Sequence, residues 1–365
     1  MEGAKLRLSR YSKAYRQRLV EGATCLGHFC EKRKVLFERL LKGNGQEVDL
    51  LLEDFVNSLY DQRATRKSSL RFAKHGVLYI QVLRPRLRHQ LKSTWATIKA
   101  WEEQQPSQLR SPLPIVLLVS MICKSRLLAE LTSDLKMRRR WLVFSSLIGL
   151  GYLGMLRPGE IFNLCGEDIG TPNQLSFGAP CMTIRIKKPK NFRQLGHSQF
   201  VVISQPDVCN WMTWVRWGLK DPGDRLWDSS PTEFRRMFKT CIEKLLKTKS
   251  NFSPASLRAG GATFHFDNCQ DVGRLRLSGR WSNPQSLEHY IQVAKAQQLA
   301  ISVTDKASRH IASLIKKGFF MLALPVWFSE PLDFTSLLPH GLGAFESSSI
   351  LWRCCRDWGR AGEKV

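Results

Sequence analysis

Acidic residues are scarce in this sequence: its 365 residues carry 31 Asp and Glu against 56 Lys and Arg, a formal net charge of +25. Such an excess is unusual for an enzyme of small metabolites and common in chains that neutralise phosphates, so nucleic acid is the first partner expected. Metal-type cysteine spacing is missing too. None of the ten cysteines forms a Cys-x-x-Cys pair, which argues against a zinc ribbon, and the chain is too long for a small disulfide scaffold. The cysteines read as reduced thiols of a cytosolic or nuclear protein. Cys25, His28 and Cys30 have no second ligand pair nearby, so no metal and no other cofactor is expected. Long apolar runs are also absent. The best candidate, 141–156, is 16 residues broken by Ser145, Ser146 and three glycines; a bilayer core needs roughly 20. It reads as a buried helix, with no membrane partner. The first residues carry charge where a signal peptide needs its apolar stretch. The expected location is the nucleus in a eukaryote, otherwise the cytoplasm or nucleoid, and not the exterior.

What is present is enough to fold. Hydrophobic residues make up 43% of the chain, with eleven Trp, too rich for a disordered polycation. The length suits two domains. Residues 1–45 carry eleven basic and four acidic side chains with weak periodicity, which predicts a basic N-terminal arm. Over 46–105 apolar residues recur at three- and four-residue steps, beginning with Val48, Leu51, Leu52, Phe55 and Leu59, and predict a small helical domain with helices near 47–59, 68–82 and 87–101. Between Arg63 and Lys92 nine basic residues stand without one acid. That run predicts a phosphate-tracking surface, with Arg66, Lys67, Arg71 and Lys74 as DNA contacts.

Prolines and lost periodicity make 106–112 a linker. From 113 to 310 the pattern predicts helices near 113–123, 127–135 and 139–153. The last begins on Arg138, Arg139 and Arg140, where a helix dipole prefers acids; that placement suggests an anionic partner. MTIRI (182–186) and QFVVI (199–203) read as the strands of a hairpin with a long basic loop. A helix follows at 207–219, where Trp211, Trp214 and Trp217 form a stripe expected to be core. Ser230, Pro231 and Glu233 then start an amphipathic helix. Residues 311–365 form a turn-rich tail whose role is not legible. The fold class is mainly α with a small β-hairpin.

Three separated segments carry the chemistry. LGYLGMLRPGEIFNLCGEDI holds Arg157, Glu160, Leu164 and Asp168; MTIRIKKPKN holds Lys188 and Lys190; SPASLRAGGAT and LSGRWSNPQSLEHYIQ hold Arg258, Gly279, Trp281 and Tyr290. In order and approximate spacing they resemble the boxes of the tyrosine recombinase family, the phage-integrase and Cre-like DNA strand-exchange enzymes. The resemblance covers roughly 138–292, and it implies a helical core-binding domain followed by a tyrosine-recombinase catalytic domain. It implies that Tyr290 is the nucleophile, that Arg157 and Arg258 grip the scissile phosphate, and that Glu160 supports them. Lys190, with Lys188 its nearest competitor and a further DNA contact, is implied as the acid that protonates the leaving 5′ oxygen. Trp281 is implied to pack the site and to offer its indole N–H to the phosphate. The implied partners are double-stranded DNA and further copies of the chain, as a tetramer on synapsed DNA.

Physical chemistry accounts for such a set. A phosphotyrosine stores the energy of the broken bond, so rejoining needs no ATP. Two guanidiniums give permanently charged, planar donors to a phosphorane, and an ammonium can protonate the departing alkoxide. One position departs from the family pattern: Ala255 stands three residues before Arg258, where the family usually has His. His265, His289 and Arg280 are candidate substitutes. The departure keeps two other readings open, a DNA-binding protein of the same fold without catalysis and a type IB topoisomerase-like enzyme.

Overall fold

The computed structural model describes residues 2–62, 69–105, 110–171, 181–190, 197–301 and 303–323. The chain is mainly α with one small antiparallel sheet, and divides into two compact units, Met1–Gln108 and Leu109–Val365.

The first unit holds α1 (Glu2–Ser9), α2 (Lys13–Lys32), α3 (Glu38–Lys42), α4 (Gly45–Asp61), α5 (Ser69–Leu83) and α6 (Lys92–Gln104), and α2 to α6 share one core. Local chemistry sets their starts. Ser12 accepts the Tyr15 N–H at 3.2 Å to cap α2, and Asn44 accepts the Glu47 N–H at 2.9 Å to cap α4. The arm expected over 1–45 is instead built in: α2 buries Leu19, Leu26, Phe29 and Cys30. Its crossing with α5 is made by Gly22 and Gly76, since a Cβ on Gly22 would overlap the backbone of α5. Sequence periodicity underrates such a crossing, because close-packed glycines add nothing to an apolar count. Arg7 extends the integration by donating to the carbonyls of Val82 and Leu83, 2.8 and 3.0 Å away, at the end of α5. Within α2, His28 is exposed while Cys30 is buried, so Cys25, His28 and Cys30 do not converge.

The second unit starts with one continuous helix, α7 (Ile115–Glu130), where two were expected, followed by α8 (Leu135–Leu153). α8 begins four residues before Arg139 and is capped by Asp134, which accepts the Lys136 N–H at 2.9 Å. Arg138 pairs with Glu130 at 2.8 Å and Arg140 with Asp228 at 3.3 Å. Two of the three arginines therefore find acids within their own chain, and those two need no external anion. Among the described residues no helix is long and apolar enough to cross a membrane.

After α9 (Pro158–Phe162) come β1 (Ile169–Gly170), β2 (Met182–Ile186) and β3 (Gln199–Ile203), an antiparallel sheet in that order with Ile184 opposite Ile169 and Val201. Met182, Ile184, Ile186, Val201 and Ile203 face the core, while Phe200 and Val202 face out. In α10 (Pro206–Trp217) the tryptophan stripe is not all core: Trp211 is buried and Trp217 is exposed. Steps of three drift around a helix whose turn is 3.6 residues, so the stripe leaves the buried face. Helices α11 (Pro231–Leu246), α12 (Ala255–Cys269), α13 (Val272–Ser278), α14 (Pro284–Glu288), α15 (Val293–Ile301) and α16 (Asp305–Ala323) complete the unit. Gly261 lets α12 lie directly on the end of α8, where a Cβ would overlap the Tyr152 carbonyl. Ile311, Leu314 and Ile315 of α16 belong to the main core. The domain edge expected at 310 thus falls inside a packed helix, and the rest of the expected tail lies outside the described residues.

Candidate active site

Arg157 sits between α8 and α9, immediately before the Pro158 that opens the short helix. Glu160, one turn on, accepts the Arg157 backbone N–H at 2.9 Å through Oε2 and its guanidinium at 2.8 Å through Oε1. The same Oε2 also accepts from Arg280 at 2.9 Å. Burial pushes the Glu160 carboxyl up. The charges of Arg280 and Arg157 and the Arg157 N–H outweigh that and hold its pKa below the ordinary carboxylate value.

Arg258 occupies the second turn of α12 and is only 2% exposed. Its two terminal nitrogens donate to the carbonyls of Met155 and Gly279, the latter at 2.9 Å. Its guanidinium carbon lies 4.1 Å from the centre of the Trp281 ring and 5.5 Å from that of Tyr290. The two rings are themselves 5.3 Å apart. Gly279 is required here, because any Cβ would run into the Trp281 ring. Burial first, then the like charges of Arg157 and Arg280, push the Arg258 pKa below its ordinary value. The structure thus brings together Arg157, Glu160, Arg258, Trp281 and Tyr290, with Arg280 as a further member.

Tyr290 lies in the turn after α14, with its N–H on the Leu287 carbonyl at 2.7 Å. It is half-buried, and its neighbour His289 is exposed. Helical geometry does not apply to this pair, because the helix has ended. His265 donates its Nε2–H to the Leu153 carbonyl at 2.9 Å, and burial lowers its pKa. Ala255 is the first residue of α12 and is buried.

In the hairpin, Arg185 pairs with Asp168 at 3.1 Å, and Lys187 pairs with Glu167 and Asp168. Lys188 and Lys190 are exposed and make no ion pair or hydrogen bond among the described residues. The structure leaves these two cations of the turn available, and residues 191–196, after Lys190, lie outside the description. Of the cations expected to meet DNA in the first unit, Arg66 and Lys67 also lie outside it. Arg71 pairs with Glu21 at 3.3 Å and Lys74 with Glu102. The run without acids is therefore partly neutralised by α2 and α6. Arg86, Arg88 and Lys92 are exposed and unpaired among the described residues.

The balance at the centre of the site is three guanidiniums to one carboxylate. Arg280 and Glu160 are each 5% exposed in their side chains, so the pair is a buried one, and deleting one partner of a buried pair costs about 3–5 kcal/mol. Glu160→Ala is expected to lower the free energy of unfolding by that amount in urea titration at pH 7; a loss below about 1 kcal/mol contradicts a shared counter-ion. The depressed pKa sets the sign with pH. This contribution is full above the ordinary carboxylate value and is lost as the pH falls through the lower, folded one.

No protein-family model matches the chain, and no curated protein matches its sequence. Among solved structures the chain is similar to XerH site-specific recombinase bound to palindromic difH substrate in a post-cleavage complex, at 13% identity over 69% of this chain and 70% of that one, with a TM-score of 0.47. It is also similar to XerH in a pre-cleavage complex with difH, at 14% identity over 83% and 94% with a TM-score of 0.43. For XerA recombinase the values are 15%, 84%, 92% and 0.38.

Proposed function

We propose that this chain is a DNA strand transferase of the tyrosine recombinase type, cutting and rejoining duplex DNA through a 3′-phosphotyrosine on Tyr290. One observation carries the reading: the Tyr290 ring lies against the guanidinium of Arg258 in a site with three guanidiniums and one carboxylate, Glu160, which Arg157 and Arg280 share. A cluster with that surplus of positive charge, held in low dielectric, suits an anion whose charge grows during reaction. In this reading the Tyr290 oxygen attacks the scissile phosphorus and its proton passes to water. Arg157 and Arg258 hold the non-bridging oxygens, and Lys190 protonates the departing 5′ oxygen. Rejoining reverses these steps, in a tetramer on synapsed DNA.

The test uses duplexes selected by the protein from a random-sequence pool, with nicks tiled along them so that a short cleaved fragment diffuses away and traps the intermediate. A covalent protein–DNA species that maps to the Tyr290 peptide is expected. Ala255 favours a second reading, in which the same fold binds DNA without cutting it. Selective binding with no adduct at any nick position is the result that reading requires.

DNA binding by the first unit is tested separately. The exposed, unpaired cations Arg86, Arg88 and Lys92 are the strongest candidates to meet phosphates among its described residues, ahead of Arg71 and Lys74, whose exposed ion pairs are worth little and can open. Neutralising all three is expected to flatten the plot of log affinity against log salt by up to about 0.9 for each phosphate no longer neutralised. An unchanged slope returns this stretch to an ordinary solvated surface.

A further inference from the structure

We propose that Arg280 is a third phosphate-binding guanidinium of this site, a role that the family pattern does not assign. The inference rests on reading the site as one for a phosphodiester. It starts from the backbone. Arg280 has φ 59°, the left-handed region that glycine occupies freely and that costs other residues about 1–2 kcal/mol. A residue selected at this turn for stability alone would be glycine. Arginine is there instead, with a buried side chain.

Glu160 does not explain it. That carboxylate already receives a backbone N–H and a guanidinium from Arg157, one on each oxygen. Arg280 brings a second cation to an acid whose single charge Arg157 already balances, beside an Arg258 that Arg157 and Arg280 both disfavour by like charge. The cost is consistent with a second negative partner. The donors for one are present: Nε of Arg258 and Nε of Arg280 are buried and have no acceptor among the described residues. Buried donors are nearly always paired in working proteins. Two orphaned guanidinium nitrogens in one cationic site match the oxygens of a tetrahedral dianion or a phosphodiester.

The sequence Gly279-Arg280-Trp281 then has a single logic. Gly279 gives its carbonyl to Arg258, Trp281 gives its ring to the same guanidinium, and Arg280 between them reaches Glu160 from the opposite direction of the chain.

Two measurements test this. In crystals of the full chain soaked with sodium tungstate, a tetrahedral phosphate mimic, the ion is expected within hydrogen-bond distance of Arg157, Arg258 and Arg280 together. Tungstate held without Arg280, or no tungstate in the site, overturns the proposal whether or not the protein cuts DNA. Second, Arg280→Gly suits the backbone and is expected to fold, checked by circular dichroism and thermal melting. Its adduct formation on the ordinary phosphodiester is expected to fall by about 10². On a duplex with a neutral methylphosphonate at the mapped cleavage position, the fall is expected to be less than about threefold, because the oxygen charge that Arg280 serves has been removed. A merely structural Arg280 would slow both substrates equally, and that outcome, or no slowing at all, sinks the proposal. Absence of any adduct with the unaltered protein instead removes the strand-transferase reading, and the tungstate position still decides the role of Arg280.

Discussion

Tyr290→Phe is expected to bind its selected duplex with unchanged affinity and to form no covalent adduct at all. Only one oxygen is removed. The ring keeps its place 5.3 Å from that of Trp281 and over Arg258, and the hydroxyl has no hydrogen-bond partner among the described residues, so its loss strands nothing. Stability should stay within about 0.5 kcal/mol, the range of changes that disturb no packed or paired group. The adduct is different in kind, because phenylalanine has no nucleophile to offer. Gel-shift affinity and the denaturing-gel adduct, measured on one preparation, separate the two properties. An adduct that survives the change moves the nucleophile elsewhere and removes the basis for the proposed reaction.

Arg258→Ala is expected to reduce the rate of adduct formation by at least about 10²–10³, the usual cost of one donor to a developing oxyanion. Here the guanidinium has two jobs. In the proposed reaction it carries charge to the phosphate, and in the structure it satisfies the buried carbonyls of Met155 and Gly279. Alanine abandons both, so a lower melting temperature is expected alongside the slower rate. Arg258→Lys separates the two. It keeps a positive charge and gives up the planar fork, and should recover part of the stability and little of the rate. A folded Arg258→Ala protein that retains activity within tenfold shows that the phosphate is held by other groups.

Much of this arrangement is legible in the sequence where the signal is local. The strands 182–186 and 199–203 show their alternation, Ser230 and Glu233 announce a helix start, and the segments around Arg157, Arg258 and Tyr290 carry motif spacing. Pairings over long sequence distance are less legible. The counter-ions of Arg71 and Lys74 come from α2 and α6, about fifty and thirty residues away, so a charge count within one window sees only the cations. The same blindness affects Arg140, whose partner Asp228 lies 88 residues on. The basic first 45 residues conceal a buried helix because glycine at the α2–α5 crossing replaces the expected apolar stripe. Arg280 is a candidate from sequence only as a stand-in for a missing histidine. Its shared hold on Glu160 and its left-handed backbone appear only in three dimensions.

The backbone around Tyr290 has a mechanical consequence. Thr263, buried on α12, donates its hydroxyl to the Tyr290 carbonyl at 2.8 Å and accepts the Gln292 N–H at 3.2 Å, while the Gln292 side chain donates to the Arg110 carbonyl at 3.2 Å. In the proposed intermediate one cut strand hangs from Tyr290 alone. Any pull on that strand is then passed through the stapled backbone into the helix that carries Arg258, and the staple resists drift of the severed end away from the groups that must reseal it. On the proposed reaction the helix is an anchor for a broken strand as well as the mount of Arg258.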